Sequence, residues 1–580
     1  MRFAIPLLGL FGLLSSCSTS PTAIGPIEAI ERAQHNTRVE LEGRDYARFA
    51  IARYAELTGD PITAAQNYGD LISRARDDAN LADRAVFASL LINDFKTAAE
   101  KAADIDPGAR AGADLTRLTL AVDALSKGKF NTAQDYLNGP WRSAFHSVIA
   151  QSLTAWMSSK NDLRGAAALQ ASAGQDDPVL LPVGRAMSGV MLTNAGADQE
   201  ALSVFEELWQ ANARLALAVE AEARLLAQNN DPEKALTRLK RFRTEVGRHP
   251  ALTALTAKLE AGQTPDSVGM SRKQGAALAI YASTAALADQ SSSDLPAVYF
   301  ALALQLDPRL DAARTLSAKA MDRVGRFSDA ETMLRAIPDT SIYHTSAQGQ
   351  LAWVLRRQER NSEALALANE TLTRTNDRNI RIQLADLYQS LGRDGEAEKL
   401  LTQIIETDEV GGTYDWRLYF ARGAARERQG KWPPAENDLQ TALGLNPENP
   451  TILNYLGYSW IDRSENLDLG LQLIEKALRL NPLSGAISDS LGWAHYKLGN
   501  YDRAVFYLER ATELSPQDPV ILDHLGDAYW QVGRYTEAGY QWARALQYLD
   551  DETDDRALIE AKLNSGLSIL PDRPTSATLP

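Results

Sequence analysis

The chain holds one cysteine in 580 residues, Cys17, and its setting restricts what that thiol can do. Arg2 supplies a positive charge at the start, an uncharged apolar run extends from Phe3 to Leu14, and the small pair Ser15-Ser16 precedes the cysteine. The run is 12 residues long, short of the about 20 that a helix needs to cross a bilayer, and it has the layout of an export-signal core. A lone thiol has no internal disulfide partner, and an unpaired thiol is avoided in an oxidising compartment. At the end of an export signal such a cysteine points to an attachment point, the alternative being an ordinary secreted protein whose cleavage site happens to contain Cys.

Leu14-Ser15-Ser16-Cys17 resembles the lipobox of bacterial lipoproteins. The resemblance implies a thioether diacylglycerol on Cys17, cleavage before it, and acylation of the new amino group. Each buried CH₂ contributes about 0.8 kcal/mol, and stable anchoring takes at least two chains; three would hold the protein on a membrane. Ser18 stands where an aspartate would direct retention, so the resemblance implies the outer membrane, facing the periplasm, with the inner membrane as the alternative.

Elsewhere the residues offer little chemistry. There is no Gly-rich phosphate loop, paired-His metalloprotease motif or cysteine metal cluster. The histidines are His35, His146, His249, His344, His495 and His524, and no two share a short motif. Asp523-His524 is not read as part of a triad, because adjacent helical residues diverge by about 100° and no nucleophile motif accompanies them. Asp551-Glu552 with Asp554-Asp555 lacks the spacing and Gly turn of a calcium loop. No catalytic residue, metal or cofactor is expected.

Composition agrees. The chain is 45% hydrophobic and 23% charged with a formal charge of −15, and removal of residues 1–16 deletes only Arg2 as a charge. An acidic chain without Lys/Arg clusters is a poor binder of nucleic acid or anionic headgroups. The length exceeds what one core supports, so several domains or a repeat array must hold it.

The array shows itself as self-similarity. Leu491-Gly492, Gly499-Asn500-Tyr501, Ala504 and Ala511 recur 34 residues later as Leu525-Gly526, Gly533-Arg534-Tyr535, Ala538 and Ala545. Gly499 suits a turn with positive φ, the small residues suit close helix contacts, and Pro516 suits a helix stop. The pattern resembles the tetratricopeptide repeat, which implies two antiparallel helices per unit, A and B, stacked into an all-α solenoid. In that frame the small residue of helix A falls at Ala318, Ala352, Ala385, Gly423, Gly457, Gly492 and Gly526. A second, more degenerate series runs Ala52, Val86, Ala121, Ala155, Gly189, Ala223 and Ala257, out of register with the first. The expected organisation is a signal at 1–16, a lipid-anchored linker and leading helix at 17–42, a degenerate array at 43–262, a linker at 263–270, a second array at 271–550, a capping helix at 551–566 and a tail at 567–580.

The resemblance further implies that helix A lines a concave groove, with groove positions three before and one, four and five after the small residue. These positions give Asn454, Tyr458, Ile461 and Asp462; Asp489, Trp493, Tyr496 and Lys497; and Asp523, Asp527, Trp530 and Gln531. Aromatics in a groove offer large contact area at low entropy cost, and carboxylates beside them prefer cations on the partner. The candidate partner-binding residues are Asn454, Tyr458, Asp462, Asp489, Trp493, Tyr496, Asp523, Asp527 and Trp530. The expectation is a non-enzymatic scaffold at the bacterial envelope that binds a protein segment with basic residues, touches the membrane only through lipid and takes no small-molecule substrate. The rival is a hydrolase or transferase with a catalytic region hidden in the degenerate N-terminal half.

Overall fold

The computed structural model describes residues 43–266, 269–288, 295–549 and 554–567. Cys17, the signal sequence and residues 571–580 lie outside them. Among the described residues there are 30 α-helices, one 3₁₀ turn and no strand, and the fold is an all-α solenoid of helix-turn-helix units.

The sequence dictates each hairpin locally. Helix starts carry side-chain caps: Asn449 Oδ1 accepts from the backbone N–H groups of Thr451 and Ile452, and Asp518 Oδ1 from those of Val520 and Ile521. Pro450 and Pro519 follow them at the first helical position, where no N–H is needed. Gly499 and Gly533 make the turns at φ 76° and 80°. In the preceding repeat Ser464 takes the same role at φ 59° without the glycine.

The small residue of each A helix sits where helix B crosses it. A Cβ added at Gly492 would lie 2.6 Å from Leu508 Cγ, at Gly526 2.4 Å from Trp542 Nε1, and at Gly457 2.8 Å from the Gly470 carbonyl oxygen. Trp432, Trp460 and Trp542 are buried as the large members of these contacts. The small residues of both series fall inside helices, from Ala52 in Gly43–Thr58 to Gly526 in Pro519–Gln531.

Two compact units divide between His344 and Thr345, whereas the sequence places its junction at 263–270. The reason is the hairpin Arg272–Ala288 and Leu295–Leu306. It does not start the second array but packs on Ala79–Leu91, Asp114–Ser126, Ala144–Ser158 and Leu180–Asn194, the A helices of the first. Arg272 donates to the Met157 carbonyl at 3.0 Å and Lys273 Nζ to the Ser126 carbonyl at 2.6 Å. Further along, Arg326 reaches the Leu91 carbonyl at 2.7 Å. Each supplies a cation to the C-terminal end of an A helix, where carbonyls lack partners and the helix dipole is negative. Gly275 lets the hairpin approach Trp156, since a Cβ there would lie 2.1 Å from the indole.

Residues 345–549 follow a plainer plan. Helices pack on their sequence neighbours and on the equivalent helix of the next repeat, as Pro450–Asp462 does on Gly485–Lys497 and that helix on Pro519–Gln531. Gly492→Leu is expected to overpack the A–B contact by roughly 1–3 kcal/mol or more and to spread the damage through adjoining repeats. Thermal unfolding by circular dichroism checks this; an unchanged transition would remove Gly492 from that contact.

Candidate functional site

The A helices Pro450–Asp462, Gly485–Lys497 and Pro519–Gln531 bring the nine candidate residues onto three adjacent elements. The side chains do not all face outward. Asn454, Tyr458, Asp489, Trp493, Asp523 and Asp527 are buried, while Asp462, Tyr496 and Trp530 are half-buried.

Of the three positions that precede the small residues by three, two bridge neighbouring A helices. Asp489 is held by His524 of the next helix, whose Nδ1–H donates to Oδ1 at 2.9 Å. Asp523 is held by Lys562 of Asp554–Ser565, at 2.7 and 2.9 Å. Asn454, the member one repeat earlier, has a buried Oδ1 with no partner among the described residues. Sequence reasoning aims these carboxylates at a partner's cations. The structure turns them along the array, where residues of the next A helix meet them first.

Aromatic rings fill the positions between. Trp493 lies in a stack, 4.6 Å and 5° from Tyr496 on one side and 4.1 Å and 15° from His524 on the other. Only 6% of Trp493 is exposed. Trp530 sits 4.5 Å from Tyr535 and 5.6 Å from Trp542. A Cβ at Gly566 would strike the Trp530 indole at 2.1 Å, so the chain leaving Asp554–Ser565 passes directly over that ring. The accessible edge comprises Tyr496, whose hydroxyl accepts from Gln531 at 3.2 Å, and the Asp462–Lys497 ion pair at 3.7 Å.

Charge at the last repeat is unbalanced. Lys562 Nζ donates to Asp527 Oδ2 at 2.7 Å as well as to Asp523, and Trp542 Nε1 donates to Asp527 Oδ1 at 3.0 Å. Burial, then the neighbouring Asp523 charge, push the Asp527 carboxyl up to about 6.

Sequence reasoning misses His524, Lys562 and Asp386. The first two hold Asp489 and Asp523 from the next A helix, and the 34-residue register already places Asp554–Ser565 as the A helix after Pro519–Gln531. Asp386 follows the small residue Ala385 and so shares the position of Tyr458, Trp493 and Asp527. Its carboxyl is pushed up to about 6 by burial, and no ion pair meets it among the described residues.

Residues 328–551 match the model of the tetratricopeptide repeat family. Over 154 residues the chain is 30% identical to a TPR repeat-containing protein of Pseudomonas aeruginosa, covering 27% of this chain and 26% of that one. Over 152 residues it is 28% identical to a human protein O-mannosyl-transferase, covering 26% of this chain and 17% of that one. The chain thus spans about a quarter or less of the length of these curated relatives. Among solved structures, a tetratricopeptide repeat protein from Parabacteroides merdae matches at 16% identity and TM-score 0.36, covering 44% of this chain and 97% of that chain. A chain of the APC/C hetero-tetramer Cut9-Hcn1 matches at 13% and 0.38, covering 91% and 97%.

Two outcomes test these assignments. Trp493→Ala removes a buried ring and is expected to cost about 3–5 kcal/mol, read as a lower denaturation midpoint; an unshifted midpoint would place the ring in solvent. Asp386 holds its proton more tightly folded than unfolded. Its contribution therefore falls as pH rises from about 4 to about 6 and stays low above that. Asp386→Asn is expected to raise the melting temperature at pH 7–8 and to flatten that decline; parallel melting curves for the two proteins across pH 4–8 would contradict the assignment.

Proposed function

We propose that this chain is a non-enzymatic scaffold, lipid-anchored through Cys17 to the periplasmic face of a bacterial outer membrane, that holds a segment of a partner protein on the A-helix face of residues 345–549. Tetratricopeptide repeats make a protein-interaction scaffold, and the observation that carries the choice of face is the contrast between the two units. In residues 43–344 four successive A helices, from Ala79–Leu91 to Leu180–Asn194, are covered by the chain's own hairpin Arg272–Leu306. In residues 345–549 no comparable hairpin crosses them among the described residues, and Tyr496, Lys497, Asp462 and Gln531 present a mixed aromatic and charged edge.

Within that edge Tyr496 supplies aromatic contact area, and Asp462 favours a cation on the bound segment; Trp530 lies under the chain at Gly566 and backs the face from beneath. Tyr458, Trp493, Asn454, Asp489, Asp523 and Asp527 set the shape and spacing of the face from beneath. No nucleic acid, cofactor or small-molecule substrate enters this reading. The transferase activity in one relative's name stays with that protein, of which the chain matches 17%.

Cross-linking in intact cells, followed by affinity purification and mass spectrometry, tests the reading. Tyr496→Ala with Asp462→Asn is expected to lower partner recovery severalfold while the melting temperature stays within a few degrees. Recovery unchanged by the pair would move the binding surface elsewhere. Cys17→Ala is expected to abolish palmitate labelling and to release the protein from membranes; retention through a carbonate wash would refute the anchor.

A further inference from the structure

The first A helix leaves in water a face that later A helices bury. In Ala79–Leu91, the residues Leu81, Ala85 and Ala88 are buried in one cluster with Ala64, Tyr68 and Leu71 of the B helix before it, Pro61–Ile72. Their counterparts 34 residues earlier are Ala47, Ile51 and Tyr54 of Gly43–Thr58. All three are exposed, Ile51 at 49% and Tyr54 at 70%. Later repeats follow the buried pattern. Leu491 and Ala494 cluster with Ile474 and Ala477 of Leu467–Leu480, and Leu525 and Ala528 with Ala504 and Leu508 of Tyr501–Leu514. An isoleucine and a tyrosine therefore stand exposed at positions where this fold packs a B helix, and among the described residues no helix precedes Gly43–Thr58.

The sequence just before that helix carries the pattern of a B helix. Residues 26–38 lie outside the described residues. Pro61, Ala64, Ala65 and Tyr68 of the first B helix are matched 35 residues earlier by Pro26, Ala29, Ile30 and Ala33, and 34 residues later by Phe95, Ala98, Ala99 and Ala102. Proline suits the first position of a helix, and Ala29, Ile30 and Ala33 fall on one helical face. The connection also has the length the repeat uses: Ala33 precedes the small residue Ala52 by 19 residues, and Tyr68 precedes Val86 by 18.

We propose that residues 26–38 dock as a B helix on Ala47, Ile51 and Tyr54, adding a half-repeat to the start of the first array, and that this docking sets how far the array stands from its membrane. Docked, the segment leaves residues 18–25 as the tether to Cys17, a reach of about 28 Å at full extension. Undocked, residues 18–42 would reach about 85–90 Å. The docking rests on the repeat register alone, whereas its effect on reach rests also on the lipid anchor at Cys17.

The chain from residue 17 onward, carrying Cys17→Ser and a single thiol from Ala47→Cys, tests the docking by its rate of reaction with maleimide. The thiol is expected to react about tenfold more slowly than in a chain that also carries Ile30→Asp and Ala33→Asp, which place charge on the docking face. The protection should not change with protein concentration, and light scattering should report a monomer. Ser89→Cys in place of Ala47→Cys puts the thiol at a buried site of the next A helix, and it should stay unreactive in both backgrounds. A free-thiol rate at position 47 in both chains, or protection that survives the two aspartates, would overturn the proposal. Exposure of the thiol at position 89 by those aspartates would do so too, since the segment would then support the whole array and not an end of it. Protection that appears only in a dimer would assign the face to a second copy. Protection that appears only when vesicles of phosphatidylethanolamine and phosphatidylglycerol are added would assign it to a lipid surface. Either result would equally overturn the proposal. No lipid anchor and no partner protein enter the docking measurement, so its failure leaves the scaffold reading intact, and failure of the cross-linking leaves the docking result intact.

Discussion

A Cβ at Gly492 would stand 2.6 Å from Leu508, closer than real side chains approach, and similar clashes await at Gly457 and Gly526. These close crossings bring helices A and B of a repeat together tightly enough for large partners such as Trp542 to close the core. Neither helix of a pair can bury its apolar stripe alone, so each hairpin must stack on the next. The stacking in turn fixes which residues look along the array and which look away from it. The arrangement of the candidate site follows from that division.

Stacking also creates a problem at every A helix, because its inner side must be covered, charged or aromatic. Residues 43–344 cover it on four helices. The hairpin Arg272–Leu306 lies on four A helices, and Lys273 and Arg272 neutralise the carbonyl ends of two of them. Tyr299 hydrogen-bonds His146 within this packing at 2.9 Å, and burial lowers the His146 pKa against the opposing pull of Asp114 at 3.6 Å. Residues 345–549 instead furnish the inner side with stacked rings and ion pairs. An aromatic and charged edge of this kind suits a surface that must stay in water and still bind.

The repeat frame was readable from residue spacing, because Gly and Ala at 34-residue intervals have few other physical reasons to recur. The turn at Ser464 shows the limit of that reading, since a non-glycine at φ 59° leaves no sequence mark. Spacing puts Asp489 and Asp523 on the A helices but does not say which way their side chains turn. Facing the next repeat or facing away depends on which residue of the following helix reaches them first, and His524 and Lys562 do so from 35 and 39 residues later. The hairpin Arg272–Leu306 fits the repeat rhythm in sequence. Its reversal onto the first array is set by long-range partners such as Trp156 and Ser126 that no local pattern announces.

The contrast between a covered and an open A-helix face is the centre of this account, and thiol labelling measures it directly. In a Cys17→Ser background, Ser283→Cys places a thiol in the covering hairpin at a site 2% exposed, and Lys497→Cys places one on the open edge. Maleimide reaction under native conditions should leave the first unmodified until the protein is unfolded and should modify the second at the rate of a free peptide thiol. Equal rates at the two sites would contradict the account.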